Sequence, residues 1–296
     1  MAQARLALVA AALIASTAEA ATDPPKVLRV GITSVLVEKY LDINRQLVAY
    51  VGEKLGAEAV LVQRRSYKQV SDLLERTEVD VAFVCGLPYV IDHARIGVEL
   101  LAAPEVYEGP IYYSYVIVPA DSPVRSFEEL RGKRYAFSDP LSNSGWLVPA
   151  YDLARAGTTP EAFFKRTIFT YSHSASVEAV AVKFVDGASV DSYVYDYLAS
   201  SRPDLAGRTR VVARSPAHPI PPVVVRAGLP ADVKRRLQAI FLEMDQDPRG
   251  RVILAGMGFK RFVPVSDASF DGIREMRRVV SEGYGGSPAP RQVARP

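Results

Sequence analysis

Short apolar segments alternate with longer amphipathic segments along most of the chain. Residues 79–84 are typical of a buried strand, whereas residues 38–55 carry apolar side chains at helical spacing and stop at Gly56. This alternation predicts parallel strand pairing with right-handed crossovers. The predicted strands are 27–32, 60–62, 79–84, 98–102, 111–119, 134–137, 167–170, 189–191, 209–213 and 222–226. The predicted helices are 38–55, 67–76, 88–94, 145–156, 160–164, 177–184, 193–200, 231–244, 249–255 and 267–280.

The pattern divides into two series of strands and helices, joined by two unusual segments. Residues 111–119 are long and apolar for one strand, and residues 215–222 are rich in proline. We expect both segments to cross between two lobes, one formed by 27–115 with 216–282 and the other by 116–215. The predicted fold class is α/β, with a mostly parallel sheet flanked by helices in each lobe. Two crossings suit a hinge that closes over a ligand at the carboxyl ends of the strands.

Residues 1–20 have the features of a cleaved export signal. Arg5 supplies a positive charge, residues 6–14 are apolar, and Ala18 to Ala20 offer a small-residue cleavage site. No cysteine follows the apolar segment, and no other stretch approaches the roughly 20 apolar residues that span a bilayer. We therefore expect an exported periplasmic protein without a lipid anchor. Residues 283–296, rich in Gly, Pro and Arg, are predicted to be a disordered tail.

The charge and the cysteine content narrow the possible partners. The formal net charge is +3 and both signs are mixed, which argues against nucleic acid or a membrane surface as the main partner. Cys85 is the only cysteine, so no intramolecular disulfide can form. It follows a predicted strand and has no neighbouring base in the sequence, so we interpret it as a buried residue at a strand end.

One polar turn stands out as a candidate anion site. Ser142, Asn143, Ser144 and Gly145 follow the predicted strand 134–137 and precede a predicted helix. The first backbone N–H groups of a helix lack intrahelical partners, and together with the helix dipole they attract anions. The two hydroxyls and the amide add donors, and glycine permits close approach to the backbone. An ordinary helix cap is the alternative, since Ser and Asn favour that position.

Other polar candidates also follow predicted strands. His173 could donate to an anion or be a structural hydrogen-bonding residue, and Asp191 could cap a helix or pair with a cationic or protonated part of a ligand. In the first lobe Ser34, Tyr67 and Tyr89 follow the first three strands. Tyrosines in a crevice can hold a ligand with ring and hydroxyl, although packing is the common role.

The sequence does not indicate an enzyme. Ser172, His173 and Asp191 include the residue types of a hydrolase triad, but adjacent Ser and His rarely face one another, and no Gly-x-Ser-x-Gly motif occurs. There is no His, Cys, Asp and Glu cluster with metal-ligand spacing and no Gly-rich nucleotide loop. We therefore predict no catalytic residue, no metal and no cofactor.

Several motifs in this order resemble the phosphate, phosphite and phosphonate-binding family of periplasmic receptors. These motifs are 79–84 with Gly86-Leu87-Pro88-Tyr89, 127–133, 142–145, 172–179 and 190–196. The resemblance spans roughly residues 27–263. It implies the type II periplasmic-binding-protein fold, oxyanion contacts from Ser142 to Gly145 and from His173, and ligand contacts from Asp191 and the crevice tyrosines.

The resemblance implies a receptor that captures a small phosphorus oxyanion and delivers it to an ABC permease. We expect it to act as a monomer. Two alternatives remain open, namely a receptor for a sulfonate or another small organic anion, and a sensory receptor that presents its ligand to a membrane kinase.

Overall fold

The computed structural model describes residues 24–33 and 39–284. The predicted signal peptide and Ser34 lie outside these residues. The chain begins with β1 (Val27–Thr33), α1 (Lys39–Leu55), β2 (Glu58–Arg64), α2 (Tyr67–Glu75), β3 (Val81–Phe83), α3 (Gly86–Ile96) and β4 (Glu99–Glu105). It continues with β5 (Ile111–Tyr112), β6 (Ser114–Pro119), β7 (Arg134–Phe137), α4 (Val148–Arg155), α5 (Pro160–Phe163), β8 (Arg166–Phe169), α6 (His173–Ala181), β9 (Gly187–Asp191), α7 (Ser192–Ser201), α8 (Pro203–Ala206) and β10 (Thr209–Arg214). The last elements are β11 (His218–Pro219), β12 (Val223–Val225), α9 (Ala231–Leu242), α10 (Pro248–Met257), β13 (Arg261–Val263) and α11 (Asp271–Gly283).

The larger sheet defines the first lobe and has the strand order β13-β4-β12-β3-β1-β2. β1 pairs in parallel with β2 and β3, whereas β12 runs antiparallel to both of its neighbours, β3 and β4. Leu28 and Val30 of β1 are buried against the apolar face of α1, which includes Leu47, Val51 and Leu55. β1 alternates between buried and accessible residues only in its first half and is buried throughout from Val30 to Thr33, as a strand in the middle of a covered sheet should be. Helix α1 covers one face of the sheet.

The smaller sheet defines the second lobe and has the order β10-β6-β9-β7-β8. β7 pairs in parallel with β8 and β9, and β6 runs antiparallel to β9 and β10. Most strands of each sheet therefore share one direction. The strand that follows each passage of the chain between the sheets, β6 or β12, runs the other way. The predicted two-lobed α/β fold is confirmed.

The two passages between the sheets lie side by side as a short antiparallel ribbon. β5 pairs with β11, with Tyr112 opposite His218 and Ile111 opposite Pro219. The prediction of one continuous strand over 111–119 is wrong, because the chain changes partner at Tyr113, from the ribbon to the smaller sheet. We propose that the lobes divide close to this ribbon, near residues 115 and 215.

The C-terminal helix α11 contacts both lobes. Ile273 lies against Gly86 of α3, and Gly283 lies beside Ala154 of α4. The prediction of a disordered tail from residue 283 is wrong at its start, since Gly283 ends α11 and the Tyr284 hydroxyl donates to the Ala150 carbonyl oxygen at 2.7 Å. Residues 285–296 lie outside the described part of the chain.

Other boundaries differ from the prediction for local reasons. The helix predicted to begin at Val177 begins at His173, because the Ser172 side chain accepts a hydrogen bond from the Ala175 amide and caps it there. The short elements α8, β11 and β13 were not predicted. Within residues 24–33 and 39–284, no helix has the length and apolar character needed to cross a membrane.

Candidate functional site

The turn after β7 forms a fully buried helix start. The Ser142 carbonyl oxygen accepts from the Leu147 amide at 3.0 Å, which gives the π-helical turn Asn143–Leu147 that leads into α4. The Ser142 hydroxyl accepts from the Gly145 amide at 2.9 Å. A Cβ atom on Gly145 would lie 2.6 Å from Ser138 Cβ. The close approach therefore requires glycine, and π-helical turns of this kind are frequent at functional sites.

Two side-chain atoms of this turn are buried without a hydrogen-bond partner among the described residues. They are Ser144 Oγ and Asn143 Oδ1. The Ser144 backbone carbonyl is occupied, since it accepts from Ser114 Oγ at 2.7 Å. Burying a polar atom without a hydrogen-bond partner lowers the free energy of unfolding by about 1–3 kcal/mol. Such an atom therefore needs an explanation, and a bound ligand that supplies the missing partner is one. The turn predicted from sequence therefore carries unused hydrogen-bonding capacity.

Asn143 connects the turn to the first lobe and to the ribbon. Its backbone amide donates to Cys85 Sγ at 3.3 Å, and its Nδ2 donates to the Tyr112 hydroxyl at 3.0 Å. Cys85 is buried as predicted, and burial raises the pKa of its thiol to about 11, so it is not a ready nucleophile. Tyr112 was missed by sequence reasoning. Its place within a segment predicted to cross between the lobes was the available signal.

His173 lies behind the turn as a neutral imidazole. Its Nδ1 accepts from the Asp191 amide at 3.0 Å, so the ring proton resides on Nε2, which lies 3.4 Å from Ser142 Oγ. Burial lowers the pKa of His173 to about 3. His173 meets the Asp191 backbone rather than its carboxylate, and the Ser172 hydroxyl accepts the capping bond of α6. Ser172, His173 and Asp191 thus do not form a hydrolase triad.

Asp191 ends β9 and caps α7. Its Oδ1 accepts from the amides of Tyr193 at 2.8 Å and Val194 at 3.4 Å, which confirms the capping interpretation. Burial raises the pKa of this carboxyl to about 7. Asp191 also lines a cavity of about 110 Å³ between the lobes, together with Tyr67. The second interpretation, a ligand partner, stays a prediction.

The tyrosines predicted for the first lobe separate in the structure. Tyr67 begins α2, its amide lies 3.4 Å from Asp139 Oδ2, and burial raises the pKa of its phenol well above the usual value. Tyr89 is not among the described residues that line the cavity. Its hydroxyl donates to Asp267 at 2.5 Å and its ring packs on Phe270. The structure thus brings Tyr67, but not Tyr89, to the cavity.

These residues together offer neutral hydrogen-bond donors to an anion. The phenol of Tyr67 keeps its proton at neutral pH, and the turn supplies hydroxyl and amide groups. The imidazole of His173 is neutral and directs its one remaining proton, on Nε2, at Ser142. Within the described residues no group of His, Cys, Asp and Glu could hold a metal ion. Neutral donors around a helix start suit a small oxyanion.

A family model for phosphonate ABC-transporter periplasmic substrate-binding proteins matches residues 31–270. The chain belongs to this family. A phosphonates-binding periplasmic protein of Escherichia coli is 28% identical over 264 residues, covering 86% of this chain and 77% of the relative. The binding-protein component of a Pseudomonas aeruginosa phosphonate transporter has a TM-score of 0.81 at 25% identity, covering 87% of both chains. A Prochlorococcus marinus protein of the same fold, solved with methylphosphonate, has a TM-score of 0.80 at 19% identity, covering 89% of this chain and all of that one.

The Asp191→Asn variant is expected to change how the stability of this family member depends on pH. The folded-state pKa of Asp191, about 7, lies above the unfolded value of about 3.9, so its stabilising contribution is lost as the pH rises towards 7. His173, with a folded pKa of about 3, contributes in the opposite direction up to about pH 6.5. Asparagine retains an oxygen that can accept from the Tyr193 amide.

Urea unfolding at pH 4.5, 6.0 and 8.0 measures this effect. The two contributions partly cancel in the parent, whereas the variant should gain about 1 kcal/mol or more relative to the parent between pH 4.5 and 8.0. His218, whose pKa burial also lowers, affects both proteins equally. If the free energies of unfolding of parent and variant change with pH in parallel, Asp191 does not have a raised pKa in the folded protein and the prediction is wrong.

Proposed function

We propose that this protein captures a small phosphorus oxyanion, namely a phosphonate, phosphite or phosphate, between its lobes and delivers it to an ABC permease. The observation that supports this most is the fully buried turn at Ser142 to Gly145, with Ser144 Oγ unpartnered. A 180° rotation of the Asn143 side-chain amide would exchange the positions of Oδ1 and Nδ2. The Tyr112 hydroxyl would then donate to Oδ1, and Nδ2 would take the position where Oδ1 now lies without a partner. Both side chains would then face the ligand as donors.

The energetics of such a site are sufficient without an arginine. Each hydrogen bond to a charged group contributes about 1.5–3 kcal/mol. Four or five of them, drawn from the turn and from Tyr67, with His173 holding Ser142 in place, would give a micromolar complex of about −8 kcal/mol after the cost of association. We further propose that the protein works as a monomer in the periplasm, without a lipid anchor and without a catalytic step.

The two variants Ser144→Ala and His173→Ala are expected to weaken oxyanion binding at least tenfold, about 1.4 kcal/mol each, while the fold stays intact. Ser144→Ala removes a hydroxyl that faces the ligand, and His173→Ala removes the group behind Ser142. Isothermal titration calorimetry with phosphate, phosphite and methylphosphonate measures the loss. Ser200→Ala is the matched control, because its hydroxyl on exposed α7 surface bonds only locally to the Tyr197 carbonyl oxygen.

The ligand panel also separates the proposal from its alternatives. Sulfate and taurine test for a sulfur oxyanion receptor, and phosphorus NMR of the recovered ligand tests for turnover. Unaltered affinity in both Ser144→Ala and His173→Ala would remove the site assignment, and tighter binding of taurine than of every phosphorus compound would overturn the ligand class.

A further inference from the structure

The cavity between the lobes is walled mainly by apolar side chains. Six of them are Phe83, Val84, Ile220, Pro221, Met257 and Phe259. The polar members of the wall include Thr33, Asn44, Tyr67 and Asp191, and no Lys, Arg or His lines it among the described residues. An inorganic oxyanion would leave such a wall without a partner, because charged oxygens gain nothing from apolar surface.

None of Ser142 to Gly145 lines the cavity, but two of its wall residues are linked to the turn through one intervening residue each. Asp191 lines the cavity, and its amide holds His173, whose Nε2 faces Ser142. Val84 lines the cavity as well, and the next residue, Cys85, holds the Asn143 amide. A ligand with its oxyanion at the turn would therefore extend its substituent into the cavity.

Three residues of the cavity wall, Tyr193, Met257 and Phe259, form a contact between the two lobes. The Tyr193 hydroxyl of α7 donates to the Met257 carbonyl oxygen of α10 at 2.5 Å. The ring of Tyr193 packs on Phe259 with centroids 5.3 Å apart. An engineered apolar cavity of about 150 Å³ accepts benzene, so a cavity of about 110 Å³ suits a smaller group of three or four carbon atoms.

We propose that the ligand is an organophosphonate with an uncharged, apolar substituent of about the size of a propyl group. This inference rests on the proposed function, since the oxyanion must sit at the turn. A substituent of this kind would contact Phe83, Met257 and Phe259 and would fill the space that phosphate or phosphite leaves empty.

A series of ligands that differ only in the substituent tests the inference. Calorimetry would compare inorganic phosphate with methyl-, ethyl-, n-propyl- and 2-aminoethylphosphonate, the last two having chains with the same number of heavy atoms. Each buried methylene is expected to tighten binding about fourfold, so n-propylphosphonate should bind at least tenfold tighter than methylphosphonate. It should also bind tighter than 2-aminoethylphosphonate, whose ammonium must leave water for an apolar wall.

The outcomes distinguish this inference from the proposed function. If phosphate and methylphosphonate bind and n-propylphosphonate binds no tighter, the inference is overturned and the function stands. Tighter binding of 2-aminoethylphosphonate would also overturn it and would make Asp191 an ammonium partner. If no phosphorus compound binds, the proposed function itself fails.

Variants of the wall give a second, independent test. Met257→Gln should lower the ratio of n-propylphosphonate to methylphosphonate affinity at least threefold, because a polar end replaces part of the apolar wall. Val252→Gln is its control on the same helix, with a side chain that is 67% exposed, and should leave the ratio unchanged. Val194→Ile should also lower the ratio by filling the cavity. An unchanged ratio in both wall variants would contradict the proposal.

Discussion

Asn143→Asp is expected to weaken oxyanion binding about a thousandfold at neutral pH. The change is isosteric, so the new carboxylate oxygens occupy the positions that the amide holds beside Tyr112. Two unit charges 4 Å apart repel by about 4 kcal/mol at an effective dielectric constant of about 20. That energy equals roughly three powers of ten in the dissociation constant. Titration calorimetry at pH 7.5 measures the loss.

A charge control and a pH control separate repulsion from misfolding. Gln246→Glu makes the same charge change at an exposed position in the first lobe and should bind like the parent. Lowering the pH should restore part of the affinity of Asn143→Asp, because protonation removes the charge of the new carboxyl. Retention of binding within tenfold at pH 7.5 would mean that the oxyanion does not lie at this turn.

Gly145→Ala is expected to lower the free energy of unfolding by about 2–3 kcal/mol and to abolish measurable binding. The new Cβ would lie 2.6 Å from Ser138 Cβ and 2.7 Å from Ser138 Oγ. Ser138 cannot move freely, because its hydroxyl donates to the Ser189 carbonyl oxygen at 3.0 Å. Overpacking of a well-packed site typically costs 1–3 kcal/mol. Thermal unfolding should shift downward by roughly 5–10 °C in a chain of this size.

Gly272→Ala is the matched control for this substitution. Gly272 lies in the first turn of α11, and a Cβ atom added there would have no neighbouring atom within 4 Å, so the methyl group meets open space. Alanine favours helix over glycine by up to about 1 kcal/mol, so this variant should be neutral or slightly more stable. A Gly145→Ala protein as stable as Gly272→Ala would show that the turn tolerates a side chain and needs no close approach.

The sequence predicted the elements where local signals were strong. The anion turn was predicted because small donors, a glycine and a helix start occur together within Ser142 to Gly145. Contacts between residues that lie far apart in sequence could not be predicted from local patterns. The position of Tyr89 depends on Asp267, which is 178 residues away in sequence. The break at Tyr113 depends on the pairing of β5 with β11.

The cavity wall illustrates the same limit. Met257 and Phe259 have no local mark of a ligand site, and they reach the cavity only because α10 packs near Tyr193 of α7. The predicted helix ended at residue 255, before both of them, so the sequence pattern gave no structural role to either residue. The hydrogen-bonding turn was thus predictable from local chemistry, whereas the apolar half of the candidate site required the assembled lobes.

The strand order of the larger sheet bears on how the chain is made. β12 at Val223–Val225 lies between β3 and β4, which precede it by more than a hundred residues. During synthesis the two halves of that sheet remain unjoined until the intervening second lobe and β12 have emerged from the ribosome. Pairing across such a sequence distance is slow and leaves apolar edges exposed meanwhile. Such a nascent chain would stay incompletely folded until nearly its full length is available.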